Sequence, residues 1–431
     1  MKLKAVLGPV QLAFYSVGVI VGAGVYSVIG AAAGLAGEGL WLSFVLAAIV
    51  AALTAVSYAE MTTAFPAAGA EYVYLRRALP EARSISVAMA AVILFGGAAT
   101  AATVGVAFGE YLQIFFDVQP IISAVVLLAF CTAVNVLGIR EASWVNVLFT
   151  SIEVAGLFLV VGVGLTREGF LDPVAAPQFS GVLPAAAIIF FVYLGFEEVA
   201  NLAEEVRNPA HDIPRALFIS LGITTMLYVL VALAAVALAP PADLAASGAP
   251  LAAALRSAWP EASWVLSAIA LFATANTVLI TLIATSRMAY SMAREGDLPI
   301  LIGHLALGRQ TPWVAAILVL AMSAILLPLG DLKVLAELSS FAALIAFMAV
   351  NFALIVLRYR LPNHPRPFLV PWSIGRMPLL PVAAILSILL LLASFDQSVL
   401  VASTFIFLIA LSFVTRQYLM GLNIRRRKRR R

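Results

Sequence analysis

Charged residues, cysteine and histidine are all scarce in this chain of 431 residues. Only 11% of the residues are charged, whereas 63% are hydrophobic. So little polar surface cannot cover a soluble globule of this length, which excludes an ordinary soluble protein. The single cysteine, Cys131, excludes an internal disulfide, and the three histidines lie apart with no cysteine or carboxylate at ligand spacing. The sequence therefore predicts no metal site.

Motifs for nucleotide chemistry are also missing. There is no GxxxxGK[ST] phosphate-binding loop and no soluble stretch that could hold a nucleotide-binding domain. Any transport must therefore run on a gradient or be passive, and no cofactor is implied. No set of nucleophile, base and metal ligands indicates an enzyme, and no helix has the long polar stripe of a channel. The basic tail RRRKRRR is typical of a topology anchor beside anionic lipid, and we expect no nucleic-acid contact.

Long apolar runs fill most of the chain instead. A bilayer core about 30 Å thick needs about 20 apolar residues for each crossing helix. The runs predict an all-α integral membrane protein with twelve crossings, at residues 9–35, 40–65, 83–115, 120–138, 143–166, 183–204, 213–239, 262–291, 312–329, 333–357, 378–394 and 397–419.

The basic residues fix the expected orientation. Of the 26 lysines and arginines, all except Arg167, Arg256 and Lys333 fall on one side of the membrane once these crossings are drawn. The positive-inside rule then predicts a multi-pass protein of the cell membrane with both termini in the cytoplasm.

Glycines interrupt the first and the sixth crossings. The first contains GVIVGAGVYS, at 18–27, and the sixth contains VYLGFEEVAN, at 192–201. These crossings lie five helices apart, which is expected if helices 1–5 and 6–10 form two inverted repeats with broken helices at the membrane midplane. The alternative is that the glycines only allow close helix packing.

Breaks in these two helices would create complementary binding groups. Unwinding near Gly22 and Gly24 would leave free N–H groups at the positive end of a half-helix, which favours an anion. The half-helix ending near Tyr193 would present free carbonyl groups, which favour an ammonium group. Together the breaks predict a site for the zwitterion of an α-amino acid.

Five segments in chain order resemble signatures of the amino acid–polyamine–organocation superfamily of amino acid permeases. They are GVIVGAGVY in the first helix, FPAAGAEYVYLRRAL at 65–79, the segment 190–216 around the sixth helix, SRMAYSMAREGDLP at 286–299 and LRYRLPNHPRPFLVP at 357–371. The resemblance implies a LeuT-like core of two inverted five-helix repeats plus two peripheral helices. The repeats would cover 1–171 and 172–360, helices 11 and 12 would cover 361–422, and the basic tail 423–431.

The resemblance also implies an amino acid transporter that works by alternating access, with site residues in both breaks. The substrate carboxylate would contact backbone groups of Gly22, Ala23 and Gly24. The amino group would contact carbonyls near Ile20, Phe191 and Leu194, with Phe196 as an aromatic gate. Glu197 matches an acidic position that responds to protonation in some members of the superfamily.

Acidic residues inside the predicted helices need a reason, because a charge in the bilayer costs at least about 2.5–3.5 kcal/mol. Glu153 lies within the fifth helix, where several proton-coupled members of the superfamily have a lysine. Burial favours the protonated form of a carboxyl group, so Glu153 and Glu197 are the predicted proton-coupling residues. Glu153 as a packing residue is the alternative. Sodium coupling is another, with Thr281, Thr285 or Ser286 as ligands.

The third helix indicates the substrate class. It has no charged residue across 87–108, and Phe95 lies where cation-selective relatives have an acid. We therefore expect neutral, apolar amino acids, held by Phe95, Phe196 and helix 10 near Ser339. Cationic amino acids or polyamines are the alternative, since Glu153 or Glu197 could supply a negative charge. The sequence gives no indication of oligomeric state.

Overall fold

The fold consists of helices, as the apolar runs predict. The computed structural model describes residues 8–66, 70–137, 143–175, 177–201, 206–294, 296–306, 311–329, 331–397, 399–401 and 404–405. The first eight helices are α1 (Pro9–Val21), α2 (Gly24–Ala36), α3 (Leu40–Ala64), α4 (Ala70–Ala78), α5 (Arg83–Leu112), α6 (Pro120–Leu137), α7 (Ser143–Gly164) and α8 (Asp172–Ala175).

Nine further helices follow in the second half of the chain. They are α9 (Val182–Ile189), α10 (Glu198–Asn201), α11 (Pro209–Leu238), α12 (Pro241–Ala246), α13 (Pro250–Ala258), α14 (Pro260–Arg294), α15 (Trp313–Leu326), α16 (Leu332–Arg360) and α17 (Leu379–Leu392). Two short strands, β1 (Ser373–Ile374) and β2 (Met377–Pro378), pair antiparallel in the loop before α17, with Ser373 opposite Pro378. Prolines begin several of these helices because their first backbone N–H groups have no helical partner.

Seven of the described spans are long and apolar enough to cross a membrane. They are Gly24–Ala64, Ser84–Leu112, Pro120–Leu137, Val182–Ala200, Pro209–Leu238, Pro260–Arg294 and Leu332–Arg360. Four shorter apolar helices accompany them: Leu12–Val21, Phe149–Gly164, Trp313–Leu329 and Leu379–Leu392. The protein is thus an all-α membrane protein. Most of the predicted twelfth crossing, and the whole basic tail, lie outside the described residues.

Two predicted crossings are divided in the structure, and four short helices were not predicted. The first crossing consists of α1 and α2, separated by Gly22 and Ala23, and the sixth consists of α9, a 3₁₀ turn at Phe190–Tyr193, and α10. The short helices α4, α8, α12 and α13 lie between longer ones. They are too short or too polar to give a hydropathy signal of a crossing.

Two sets of helices pack around the breaks. α11 lies against α1 and α3, while α5 lies against α6, α14 and α16. Small residues allow the close contacts of α5: a Cβ atom on Gly97 would lie 2.2 Å from Thr285 Oγ1, and one on Gly96 would lie 2.9 Å from Ala342 Cβ. Both sets contribute side chains to the region where the two broken helices meet.

Candidate functional site

The first break lies between α1 and α2 and is held by a threonine of α14. Ala23 donates its backbone N–H to Thr277 Oγ1 at 3.0 Å. Gly24 begins α2 and faces the second broken helix, because a Cβ atom on it would lie 3.0 Å from Val192 Cα. The positive end of α2 therefore points into the break, as expected for an anion-binding position.

The second break follows the 3₁₀ turn and requires a glycine. Leu194 is extended, with φ −61° and ψ 141°, and Gly195 has φ +114°, a conformation that side chains rarely adopt. Glu197 stabilises the turn, since its Oε2 atom accepts the N–H of Gly195 at 2.8 Å. A Cβ atom on Gly195 would lie 2.9 Å from the carbonyl oxygen of Val19 in α1. Each break therefore packs closely against the other broken helix.

Tyr228 of α11 links the backbones of both broken helices. Its hydroxyl donates to the carbonyl oxygen of Ile20 at 2.7 Å and lies 3.3 Å from that of Val21 and 3.4 Å from that of Val192. A hydroxyl has one proton, so the bond to Ile20 is the main one. The aromatic rings of Phe44 and Tyr193 pack against Tyr228 and fix its position.

The predicted gate residue Phe196 is fully buried in an aromatic cluster. Its ring lies 5.1 Å from that of Phe347 in α16 and 5.7 Å from that of Tyr58 in α3. Phe191 is also buried, and its carbonyl accepts the N–H of Leu194 at 3.3 Å. The predicted amine contacts at Ile20 and Phe191 therefore have donors from within the protein in this conformation.

Ser339 and Phe95 come from α16 and α5, which pack side by side. The hydroxyl groups of Ser339 and Thr100 are 2.5 Å apart. Phe95 is partly buried and packs against the main apolar core. No charged side chain occurs in α5 between Ser84 and Gly109, and among the described residues this part of the site is apolar apart from hydroxyl groups.

Glu153 lies between the first broken helix and α14. It is 1% exposed, and its Oε1 atom is 3.5 Å from Asn276 Nδ2, a long hydrogen bond. Its backbone carbonyl accepts the hydroxyl of Tyr26 in α2 at 2.9 Å. Because Asn276 precedes Thr277, one turn of α14 contacts both Glu153 and the backbone of Ala23.

The three predicted sodium ligands lie further along α14 than the residue that contacts the break. Thr285 faces Gly97 of α5, and Ser286 accepts a hydrogen bond from Asn135 Nδ2 at 3.0 Å. Thr281 is partly buried one turn after Thr277. Among the described residues, no group of three or more histidine, cysteine, aspartate or glutamate side chains could hold a metal ion.

Sequence reasoning missed Tyr228, Asn276 and Thr277. Each is a polar residue within a predicted membrane crossing, and that is the signal that could have selected them. Their partners are remote in sequence, with 208 positions between Tyr228 and Ile20 and 254 between Thr277 and Ala23. The pairing could not be read from local patterns.

Broken apolar helices around a polar backbone site define a membrane transport protein. Residues 7–415 match the family described as Amino acid permease, and the chain belongs to this family. It is a transporter rather than an enzyme.

Relatives in this family have several named substrates. The chain is 31% identical over 417 residues to the "Branched-chain amino acid permease BcaP" of Bacillus subtilis, covering 91% of this chain and 88% of the relative. It is 31% identical to the "Cationic amino acid transporter 4, vacuolar" of Arabidopsis thaliana, covering 84% and 64% of the two chains. It is 28% identical to the "Methylthioribose transporter" of Bacillus subtilis, covering 88% and 86%.

Proposed function

We propose that this permease is a secondary active transporter that carries neutral, apolar amino acids into the cell by alternating access, coupled to protons. The proposal includes twelve crossings, a LeuT-like core of two inverted five-helix repeats, broken helices 1 and 6, and both termini in the cytoplasm of a cell-membrane protein. The close packing of each break on the other broken helix, Gly24 against Val192 and Gly195 against Val19, is the observation that supports the proposal.

The zwitterion would bind where these breaks meet. The backbone of Gly22, Ala23 and Gly24 would hold the carboxylate, because the N–H groups at the start of α2 favour an anion. The carbonyl groups of Ile20, Phe191 and Leu194 would hold the ammonium group. To reach these groups the substrate must compete with Thr277 at Ala23 and with Tyr228 at Ile20, so both side chains would move when it binds.

The apolar surroundings favour a neutral side chain. Phe95, Phe196 and Ser339 would form its pocket, and a cationic group there would have no counter-charge on α5. The name of the branched-chain permease of Bacillus subtilis agrees with this class. Cationic amino acids or polyamines are the second candidate, because Glu197 lies beside the break and several relatives are named cationic amino acid transporters.

Glu153 and Glu197 would bind the coupling proton. Among the described residues the Glu153 carboxyl group has one hydrogen bond, a long one from Asn276, so its ionised form is poorly stabilised. Sodium coupling through Thr281, Thr285 or Ser286 is the competing mechanism.

Counterflow tests transport and substrate class together. Proteoliposomes loaded with unlabelled leucine should accumulate labelled leucine with saturable kinetics, while labelled lysine should not exchange. Thermal unfolding of the purified protein with each amino acid, at two pH values and with or without sodium, would identify ligand and ion because binding stabilises the folded state. Non-saturable flux at ionic rates would instead indicate a channel.

Gly24→Val tests the site directly. The new side chain would collide with Val192 of the second break, so we expect leucine binding to weaken by at least tenfold, about 1.4 kcal/mol. Gly222→Val is the matched control, because no atom of the described residues lies within 4 Å of its Cβ position. If leucine affinity is normal in a folded Gly24→Val variant, the backbone there does not contact the substrate.

A further inference from the structure

The outer end of α16 buries a carboxyl group that the proposed mechanism has not used. Glu337 is 3% exposed, and its Oε2 atom has no hydrogen-bond partner among the described residues. Buried carboxyl oxygens nearly always have a partner, and an exception indicates a bound proton, water or ion. Burying an ionised carboxylate with an unpaired oxygen costs free energy, and binding a proton would remove that cost.

The neighbouring cation, Lys333, is paired mainly with another residue, Asp396. Lys333 precedes Glu337 by one helical turn, but its Nζ atom is 2.7 Å from Asp396 Oδ2 and 3.9 Å from Glu337 Oε1. The side chains of Lys333 and Asp396 are 28% and 55% exposed. Solvent therefore comes within one turn of Glu337, while the charge of Lys333 only partly compensates its carboxylate.

The same face of α16 continues toward the predicted gate. Residues spaced three or four apart share a helical face, which places Ser340 and Phe347 below Glu337. Ser340 Oγ is buried and, within the described chain, has no hydrogen-bond partner. Phe347 packs on Phe196. Within the described chain, two buried polar atoms without a partner, Glu337 Oε2 and Ser340 Oγ, therefore lie on the face of α16 that carries Phe347 two turns further on.

Few other charges face this region. The helices α2, α9 and α17, which pack on α16, contain no charged residue. In α5 the outermost acid is Glu110, which lies against Gly248 in the loop between α12 and α13. Asp331 caps α16 by accepting the backbone N–H of Lys333 at 2.8 Å. Among the described residues, Lys333, Asp331 and Asp396 are therefore the charged groups that influence Glu337, and the backbone of Asp396 also donates a hydrogen bond to its carboxyl group.

We propose that Glu337 is the outer proton-binding residue of the transport cycle. Its Oε2 atom takes a proton from hydronium at the outer surface, leaving water, and returns the same proton to solvent or to the interior later in the cycle. The inference rests on the proposed proton-coupled transport. It adds that Glu337 is the residue through which the pH of the outer solution affects transport. Lys333 modulates proton binding at Glu337, because its ammonium group lies closer to Asp396, at 2.7 Å, than to Glu337, at 3.9 Å.

Two substitutions of the partners should shift the pH response in opposite directions. In Asp396→Asn, Lys333 is free to pair with Glu337 and stabilise its ionised form. The outer pH at which leucine uptake is half-maximal should then fall by about one unit. In Lys333→Met the cation is lost, and this pH should rise by about one unit. Uptake of labelled leucine into proteoliposomes, at fixed inner pH and varied outer pH, measures both shifts.

Glu337→Gln should remove most of the response to outer pH while leaving leucine counterflow at equal pH intact. Glu261→Gln, which alters an exposed acid in the first turn of α14, should match the unaltered protein.

If Asp396→Asn and Lys333→Met both keep the original pH of half-maximal uptake, the inference about Glu337 is wrong, although the proposed transport function is unaffected. If the unaltered protein shows no saturable counterflow of leucine or lysine, the proposed function fails instead. The two partner variants change partly exposed side chains, so they test the inference even if Glu337→Gln does not fold.

Discussion

The two ends of α16 each involve a buried carboxylate, and the two are satisfied to different degrees. At the C-terminal end Glu60 of α3 accepts from Arg358 Nε at 3.0 Å, Arg366 Nη1 at 2.9 Å and the backbone N–H of Val370 at 2.8 Å, and it also accepts from Arg358 Nη2. At the N-terminal end Glu337 has a cation at 3.9 Å, a hydrogen bond from the backbone of Asp396 and one oxygen for which the described residues offer no partner. Burial is similar, but the hydrogen bonding differs.

This difference in hydrogen bonding separates buried acids that hold the fold together from buried acids that can gain and lose a proton. A buried ion pair adds little stability compared with apolar packing, but removing one partner is costly because the other charge stays buried. Glu60 forms a buried ion pair of this type, and it joins the end of α3 to α16 and to the loop before α17. Glu153 and Glu337 have few donors, so changing their protonation disturbs few bonds. Hydrogen bonding, rather than burial alone, distinguishes the two groups.

Glu60→Gln should have the largest effect on stability. The substitution leaves the buried guanidinium groups of Arg358 and Arg366 without a counter-charge, which should destabilise the protein by about 3–5 kcal/mol. Thermal unfolding of the purified protein measures the loss.

Two other substitutions provide a comparison for the stability loss expected in Glu60→Gln. Glu81→Gln removes the exposed partner of Arg360, and because solvent screens this ion pair the unfolding temperature should change only slightly. Glu337→Gln replaces an unpaired oxygen and should change the unfolding temperature little. Equal losses for Glu60→Gln and Glu337→Gln would contradict the distinction between the two carboxylates.

Glu71 of α4 should make stability depend on pH. It lies outside the candidate spans, and burial raises its pKa to about 7. The nearby carboxylate of Glu198 acts in the same direction, whereas hydrogen bonds from the backbone and from Tyr58 oppose the shift. The folded protein therefore holds a proton on Glu71 that the unfolded chain releases above pH 4.5.

The sign of this effect follows from linkage. The proton on Glu71 stabilises the folded protein fully below pH 4.5, and this stabilisation is lost as pH rises to about 7. The free energy of unfolding then falls by a total on the order of 3 kcal/mol. Glu71→Gln mimics the protonated form, so its unfolding temperature should fall less than that of the unaltered protein between pH 5 and pH 8. Parallel curves for the two proteins would show that Glu71 keeps an ordinary pKa.

The sequence allowed the positions of both breaks to be predicted from glycines in apolar runs. Gly195 at φ +114° and Gly24 against Val192 are cases where only a small or flexible residue fits, and this requirement leaves a local pattern. The family and the all-α membrane fold also followed from the sequence. The roles of the predicted site residues stay predictions.

Contacts between distant residues could not be predicted. Glu60 and Arg358 are 298 positions apart, and neither the pairing nor the unpaired state of Glu337 has a sequence signature. Both depend on which helices pack together and on rotamers at their ends. For the same reason Tyr228 and Thr277, which hold the first break, were found only in the structure.

Glu153→Gln should separate coupling from binding. Because glutamine cannot exchange a proton, uptake driven by a pH gradient should fall about tenfold, equivalent to about 1.4 kcal/mol. Leucine counterflow at equal pH should persist in part, since Ala23 keeps its contact with Thr277. Uptake by this variant with the original pH dependence would exclude Glu153 as the proton carrier.

Tyr228→Phe should weaken transport less than Glu153→Gln, because it removes one hydroxyl and keeps the ring between Phe44 and Tyr193. The carbonyl of Ile20 loses its 2.7 Å donor, and the two broken helices lose a shared contact. One neutral hydrogen bond contributes about 1 kcal/mol, so leucine binding should weaken about fivefold as the breaks become less well ordered. Tyr359→Phe, which alters an exposed tyrosine of α16, is the control. If Tyr228→Phe instead binds leucine more tightly, the hydroxyl acts mainly as a competitor for the carbonyl that the substrate amine needs.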